Sequence, residues 1–493
     1  MEPPPIRTAG AGSTVRSSFV DRYLGGSLRF GGFLALMGAL NFGCLYLAEA
    51  NVLPSRLLLA SGLLWLSSIP LFLYLQRPNR EVPIFPLLNL LYFMYFGFPV
   101  FNDTVSVRSH PFDASEVTDA VALTLAGVAC MQITFYSPLG KAIELLPTLR
   151  IKADLERIAW YSTLMALLGV AASAAVLSAA KEIAPTFKAL ANVVLRLPLA
   201  LIGGLYVLHL RGRLSAPLRV IALAAYVLYV AMCLGSGYLS NVVFALVPIF
   251  FVYIAERGRI PVAAGLLCLL LLAPFARSKM DFRRALREQN LGAFERVTLF
   301  LEMTAKKALD DRGSFASEAT RTTSERTSYL GTFALVVNQT PRRVPFTEGE
   351  TYRVMLWAFV PRILAPSRPD QSLGQDFGHR YRLLDYSDHQ TSFNCAQIVE
   401  MYMNFGRIGV LAGMALVGLY YRFLYRLFNH GVGGDGMMLV SATAMSGLLN
   451  IESDASNVLV GALTSAFASY GMLWFGTFAA TRLVLLGGSQ PRD

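Results

Sequence analysis

The sequence predicts an all-α, polytopic integral membrane protein with about twelve transmembrane helices and one large, helical, arginine-rich loop on the far side of the membrane from its termini. Three observations predict it. Apolar residues gather in runs of span length, the short connections between runs alternate between basic and nearly uncharged, and a single long polar stretch interrupts the pattern between residues 277 and 403.

Apolar side chains make up 54% of the 493 residues and charged ones 15%, a balance that excludes an ordinary soluble domain. A span takes roughly 17 to 25 apolar residues, because the hydrocarbon core is about 30 Å thick and a helix rises about 1.5 Å per residue. Runs of that kind lie at 30–48, 57–75, 82–101, 117–136, 158–178, 190–210, 217–235, 238–255, 260–276, 404–421, 437–450 and 457–478. The eleventh is short for a span. They divide the chain into an N-terminal tail (1–29), a nine-span block (30–276), the large loop (277–403), a three-span block (404–478) and a C-terminal tail (479–493).

Orientation follows from Lys and Arg, which accumulate in cytoplasmic connections. With the N-terminus inside, the cytoplasmic segments carry 19 basic residues, among them Arg77, Arg150, Arg211, Arg257 and Arg422. The short connections on the other side carry four: Arg56, Arg108, Lys181 and Lys188. An asymmetry sustained through every alternation predicts both termini in the cytoplasm of a multi-pass protein, and an odd number of spans would break it. The first apolar run is of span length, so no cleavable signal is expected. The net charge of +11 is largely this inside excess and predicts no nucleic-acid partner. Four of the five cysteines fall in spans and Cys395 alone lies in the loop, so no disulfide framework is expected. No His, Cys or carboxylate cluster has metal-ligand spacing, which predicts a protein without metal or cofactor.

The loop is too long for a connection. It carries 18 basic residues, 15 of them Arg, against 15 acidic ones. Arg binds phosphate oxygens bidentately. The whole chain, however, prefers Arg to Lys, 36 to 7, so position must carry any argument for a role. Two parts read as helical: 282–308, with Phe282, Leu286, Phe294, Val297 and Leu301 on a helical repeat, and 351–360, ending before Pro361. Tyr352, Arg353 and Trp357 suit either a helix at the lipid interface or packing against the spans.

Charged groups inside spans usually face a cavity or a partner. Arg196 lies about 9 Å below the outer start of its run, at about 1.5 Å per residue, where it either lines an outward cavity or snorkels to the surface. Glu452 and Asp454 occupy the turn before the last span, either as caps or as partners for the loop arginines.

Three loop stretches carry a family resemblance: R-T-S-Y-L-G at 326–331, T-P-R-R-V-P-F-T-E-G-E-T-Y at 340–352 leading into F-V-P-R-I-L-A-P-S-R-P at 359–369, and E-M-Y-M-N-F-G-R-I-G at 400–409. The chain thereby resembles the bacterial oligosaccharide repeat-unit polymerases of the Wzy (O-antigen polymerase) group. Ala365 stands where that group has an aromatic residue, and Arg368 where it has Lys.

The resemblance implies a metal-independent glycosyltransferase of C-type architecture in the bacterial inner membrane. It would act on undecaprenyl-diphosphate-linked oligosaccharide at the periplasmic face, among membrane lipids and with a chain-length regulator protein as a partner. A diphosphate leaving group develops negative charge, and the motif arginines Arg326, Arg353 and Arg362, with Arg196, are the expected clamp. The acceptor hydroxyl needs a base, and Glu400, His389 and Asp388 are the candidates. Glu400 can equally be a helix-end carboxylate with a purely structural role. Pro361, Asn404, Gly406 and Gly409 are the motif residues expected to shape the backbone. An O-antigen ligase and a flippase of the same lipid-linked glycan are the competing readings.

Overall fold

The computed structural model describes residues 14–48, 52–76, 81–101, 114–151, 155, 156, 158–178, 188–289, 291–310, 329–357, 373–388, 391–430 and 434–487. Among them every regular element is helical. In chain order they are α1 (Thr14–Leu47), α2 (Pro54–Gln76), α3 (Ile84–Phe101), α4 (Ala114–Tyr136), α5 (Ala159–Ser178), α6 (Lys188–Leu210), α7 (Ala216–Gly235) and α8 (Leu239–Arg257). There follow α9 (Val262–Glu288), α10 (Ala293–Asp310), α11 (Leu330–Gln339), α12 (Glu350–Trp357), α13 (Leu373–Arg380), α14 (Gln397–Phe428), α15 (Gly434–Ala444) and α16 (Gly461–Gly487).

Eight stretches are long and apolar enough to cross a membrane: α2, α3, most of α4, α5, α7, α8, α14 and Ser456–Phe478 at the start of α16. Phe30–Tyr46 in α1 and Pro198–Leu210 in α6 are shorter apolar stretches. Their outer faces expose large apolar side chains, such as Leu223, Val227, Trp474 and Phe475, which water would not tolerate over so many helices. The chain is a helical, multi-pass membrane protein. The expected runs 260–276 and 437–450 also fall on helices, α9 and α15, the latter finished by a 3₁₀ turn at Met445–Leu449. Neither is among the eight.

Within the bundle, α4 lies along α14, with α2, α3 and α11 packed around the pair. Close approach is set by Gly418 of α14, where a Cβ would overlap the Met131 carbonyl oxygen and the Thr134 hydroxyl of α4. Thr134 donates to the Ala415 carbonyl at 2.8 Å across the same seam. At the far end of α14, Tyr425 and Asn429 satisfy the start of α3. The Tyr425 hydroxyl accepts from Phe85 N (2.8 Å) and donates to the Val82 carbonyl (3.0 Å), and the Asn429 amide pairs with both backbone groups of Val82 at 2.8 Å. These are the orphan groups that any buried helix start must place. A second group of helices, α5 to α8, packs side by side, and α15 joins it to α16.

The loop is more helical and more folded-in than its polarity predicts. The expected helix over 282–308 is two helices: α9 runs to Glu288, and a separate helix, α10, starts at Ala293 and packs back along it. Phe282 stacks on Phe300 (4.4 Å between ring centres), and Ser278 meets Thr304 at 2.6 Å. Gln289, with extended backbone, ends the first helix, a break that the continuous apolar repeat does not reveal. α11 was not foreseen, being too short for a span. It is almost wholly buried against α4, where Asn338 donates to the Glu116 carboxylate. α12 covers the described part of the expected helix at 351–360. Its Tyr352 packs on Phe405 of α14 (6.4 Å), so this aromatic serves packing.

Candidate functional site

The site is built where α14 enters the bundle. From Gln397 to Asn404 the helix is buried; then the backbone leaves helical geometry at Phe405 (φ −137°, ψ 16°) and Gly406 (φ 62°, ψ −146°) and resumes. Only glycine adopts the Gly406 conformation without strain. Gly409 is required for a different reason, since a Cβ there would overlap the Met401 carbonyl oxygen across the kink. The break frees the Met403 carbonyl from its helical partner, and the loop takes it: Thr347 N donates to it at 3.1 Å.

Asn404 completes the junction. Its Oδ1 accepts from the Thr347 hydroxyl (2.7 Å) and Gly349 N (2.8 Å), and its Nδ2 donates to the Thr351 hydroxyl and the Glu400 carbonyl (both 2.8 Å). All four hydrogen-bonding positions of the amide are filled, so this side chain pins the T-E-G-E-T turn onto α14. The turn itself uses left-handed backbone at Glu348 and Gly349.

Glu400, one helical turn before Asn404, is fully buried. Its Oε2 accepts from Ala455 N at 2.8 Å, so it satisfies the start of the last helix across the bundle, while its Oε1 has no hydrogen-bond partner among the described residues. Beside it, Asp454 caps that same helix, accepting from Asn457 N (2.9 Å) and Asn457 Nδ2 (2.6 Å). Glu452 is held by hydroxyls from two other elements, Tyr95 of α3 (2.5 Å) and Tyr329 before α11 (3.2 Å). Burial and Glu452 push the Tyr329 phenol up from its ordinary value, which keeps it a donor. Two π turns, Phe93–Gly97 and Ser456–Val460, flank this cluster, and such widened turns commonly mark functional positions.

Over these groups lies a cavity of about 370 Å³. Its walls come from the T-E-G-E-T turn (Glu350, Thr351), α13 (Asp376, Arg380), the approach to α14 (Asn394) and the turn before the last helix (Asp454). Arg380 donates to the Pro345 carbonyl at 3.2 Å, which ties α13 to the loop. Cys395 also lines the cavity. Burial and the carboxylates of Glu400 and Asp454 hold its thiol well above the usual range, so it is an inert wall residue. Among the described residues no group of three His, Cys, Asp or Glu could hold a metal ion.

The candidates from sequence are distributed unevenly around this cavity. Asn404, Gly406 and Gly409 form its frame, and Glu400 lies behind its wall without lining it. Asp388 accepts from Thr391 N at 2.9 Å in a tight turn and does not line the cavity. Arg353 is exposed on α12, two residues from Thr351 of the wall. Arg196 lies on α6, with its side chain outside the described part. His389, Arg326, Arg362 and Pro361 lie outside the described residues. Of the two readings for Glu452 and Asp454, capping holds for Asp454, and tyrosines take the place of the loop arginines at Glu452. Glu350, Asp376, Asn394 and Arg380 carried no role in sequence; the short amphipathic pattern of 373–380 is a signal for Asp376 and Arg380, and Glu350 lies within the 340–352 motif stretch.

Searches of curated proteins and of solved structures find no match to the chain. Residues 147–451, which run from the connection before α5 through the large loop to the turn that carries Glu452, match the family described as a domain of unknown function, DUF8712, and the chain belongs to that family.

Proposed function

We propose that the chain is a polymerase of C-type glycosyltransferase architecture. It joins undecaprenyl-diphosphate-linked oligosaccharide repeat units into a surface polysaccharide such as an O-antigen, a capsule or an exopolysaccharide. In this reading twelve helices cross the bacterial inner membrane, both termini are cytoplasmic, and the cavity opens to the periplasm. The observation that carries it is the cavity. It is a carboxylate-lined pocket within the size range of small-ligand sites, about 300–1,000 Å³. It is framed by the E-M-Y-M-N-F-G segment, which is the most specific part of the resemblance, and it sits where α14 leaves the loop for the bundle.

A sugar hydroxyl donates naturally to such carboxylates. The acceptor oxygen attacks the anomeric carbon of the donor glycan, and the bond from that carbon to the lipid diphosphate breaks. The leaving undecaprenyl diphosphate takes the electron pair, and the hydroxyl proton passes to a carboxylate. Asp454, which lines the cavity, is the carboxylate we assign to orient and deprotonate the hydroxyl. Glu400, behind the wall, is a positioning residue that fixes the 452–457 turn through Ala455. Arg353 stands near the rim, and with Arg326, Arg362 and Arg196 it makes up the proposed diphosphate clamp.

The cheapest test is the glycan profile of a deletion strain. Loss of a polymerase leaves single repeat units on lipid A. No capped lipid A at all, with finished polymer retained on the carrier lipid, points to a ligase, and loss of translocated repeat units points to a flippase; either outcome removes the polymerase reading.

A further inference from the structure

Resting on the reading that this cavity holds the acceptor sugar, we infer that it is built for a neutral or amino-bearing sugar at the acceptor end and discriminates against a uronic acid there. Among the described lining residues three are carboxylates, Glu350, Asp376 and Asp454, drawn from three separate segments, and one is a cation, Arg380. Arg380, four residues after Asp376 on α13, is the single cation against these three, so the described lining carries more negative than positive charge. Glu350 and Asp454 reach the cavity from separate segments, and among the described residues the Asp454 carboxylate accepts from the backbone and side-chain amides of Asn457.

The rest of the wall supplies hydroxyls and amides, including Thr351, Ser392, Asn394 and Ser456. Together with the carboxylates they present oxygen acceptors that call for donors. A polyhydroxylated ligand meets that demand, and an ammonium group meets the charge as well. A carboxylate on the sugar would instead be placed against like charges in a partly dry cavity. At separations of a few ångström such repulsion weighs about one to two powers of ten against binding.

The test uses the full chain in detergent, titrated with three soluble oligosaccharides identical except at the acceptor sugar: a neutral hexose, the corresponding amino sugar and the corresponding uronic acid. Binding is followed by saturation-transfer NMR. The neutral and amino forms should bind about tenfold or more tighter than the uronate, and Glu350→Gln together with Asp376→Asn should narrow that gap to about threefold. Equal binding of all three, preference for the uronate, or binding of none overturns the inference. Turnover is read separately on lipid-linked units. Selective binding without polymer formation keeps the charge selectivity and removes the polymerase reading. Polymer formed equally well on a uronate-ended unit does the reverse.

Discussion

The two ends of α14 manage their charges in opposite ways. At the Phe428 end, acids are met by guanidinium groups. Arg211 lies between Glu256 and Asp435, donating to both oxygens of each carboxylate at 2.6–3.0 Å, and Arg422 pairs with Glu144. Arg257 and Arg426 close the carbonyls of Leu210 and Leu146. At the Gln397 end, the carboxylates of Glu400, Glu452 and Asp454 are held by backbone, hydroxyl and amide donors, and a cavity opens beside them. Among the described residues, the ion pair that α14 makes at this end, Arg407 with Asp119, is exposed. Bidentate pairing shuts one end into a fixed joint. Neutral donors at the other end hold the carboxylates without cancelling their charge, and of the three Asp454 lines the cavity.

The largest effect is expected at the kink of α14. Gly409→Val would drive a branched side chain into the Met401 carbonyl, and overpacking against backbone costs about 3 kcal/mol or more. The expected outcome is loss of folded protein or a large fall in Tm in detergent, whereas Gly461→Ala, with nothing near its added Cβ, should leave Tm unchanged. An unchanged Tm for Gly409→Val would mean that the kink is not fixed by this contact.

A smaller effect sharpens the contrast between the ends. Arg211→Met removes the guanidinium shared by Glu256 and Asp435 and should cost about 3 kcal/mol, the range for breaking one partner out of a largely buried pair. Glu452→Gln keeps an acceptor for one tyrosine and should cost about 1 kcal/mol, the worth of one ordinary hydrogen bond. Thermal unfolding of the two variants checks the order. Equal losses would remove the distinction drawn between ionic and neutral anchoring.

Most of the architecture was legible because lipid imposes long apolar runs, and each such run falls on a helix. The loop was less so. The doubling back of α10 and the burial of α11 depend on contacts with α4, α7 and α9, which leave no mark in local periodicity. Asn404, Gly406 and Gly409 were legible as a motif, because backbone demands fix residue type. The role of Glu400 was not, since its partner is Ala455, distant in the chain, and a buried carboxylate reads the same in sequence whether it faces a cavity or lies behind its wall. Likewise Cys395, expected as an outer-loop thiol, is buried, so a topology label belongs at an exposed position such as Tyr386.

The central claim is that the cavity, acting through Asp454 and positioned by Glu400, joins lipid-linked repeat units, and turnover of the purified full chain in lipid nanodiscs tests it most directly. Asp454→Asn keeps an oxygen to accept from Asn457 N but loses basicity, so turnover should fall by about 10² to 10⁴ with folding retained. Glu400→Gln still presents an oxygen to Ala455 N and should stay within about tenfold of wild type, about one charge-assisted hydrogen bond made neutral, whereas Glu400→Ala should lose far more. An inactive Glu400→Gln beside a near-wild-type Asp454→Asn would contradict the account and make Glu400 the base, and wild-type protein that forms no polymer from lipid-linked units would end it.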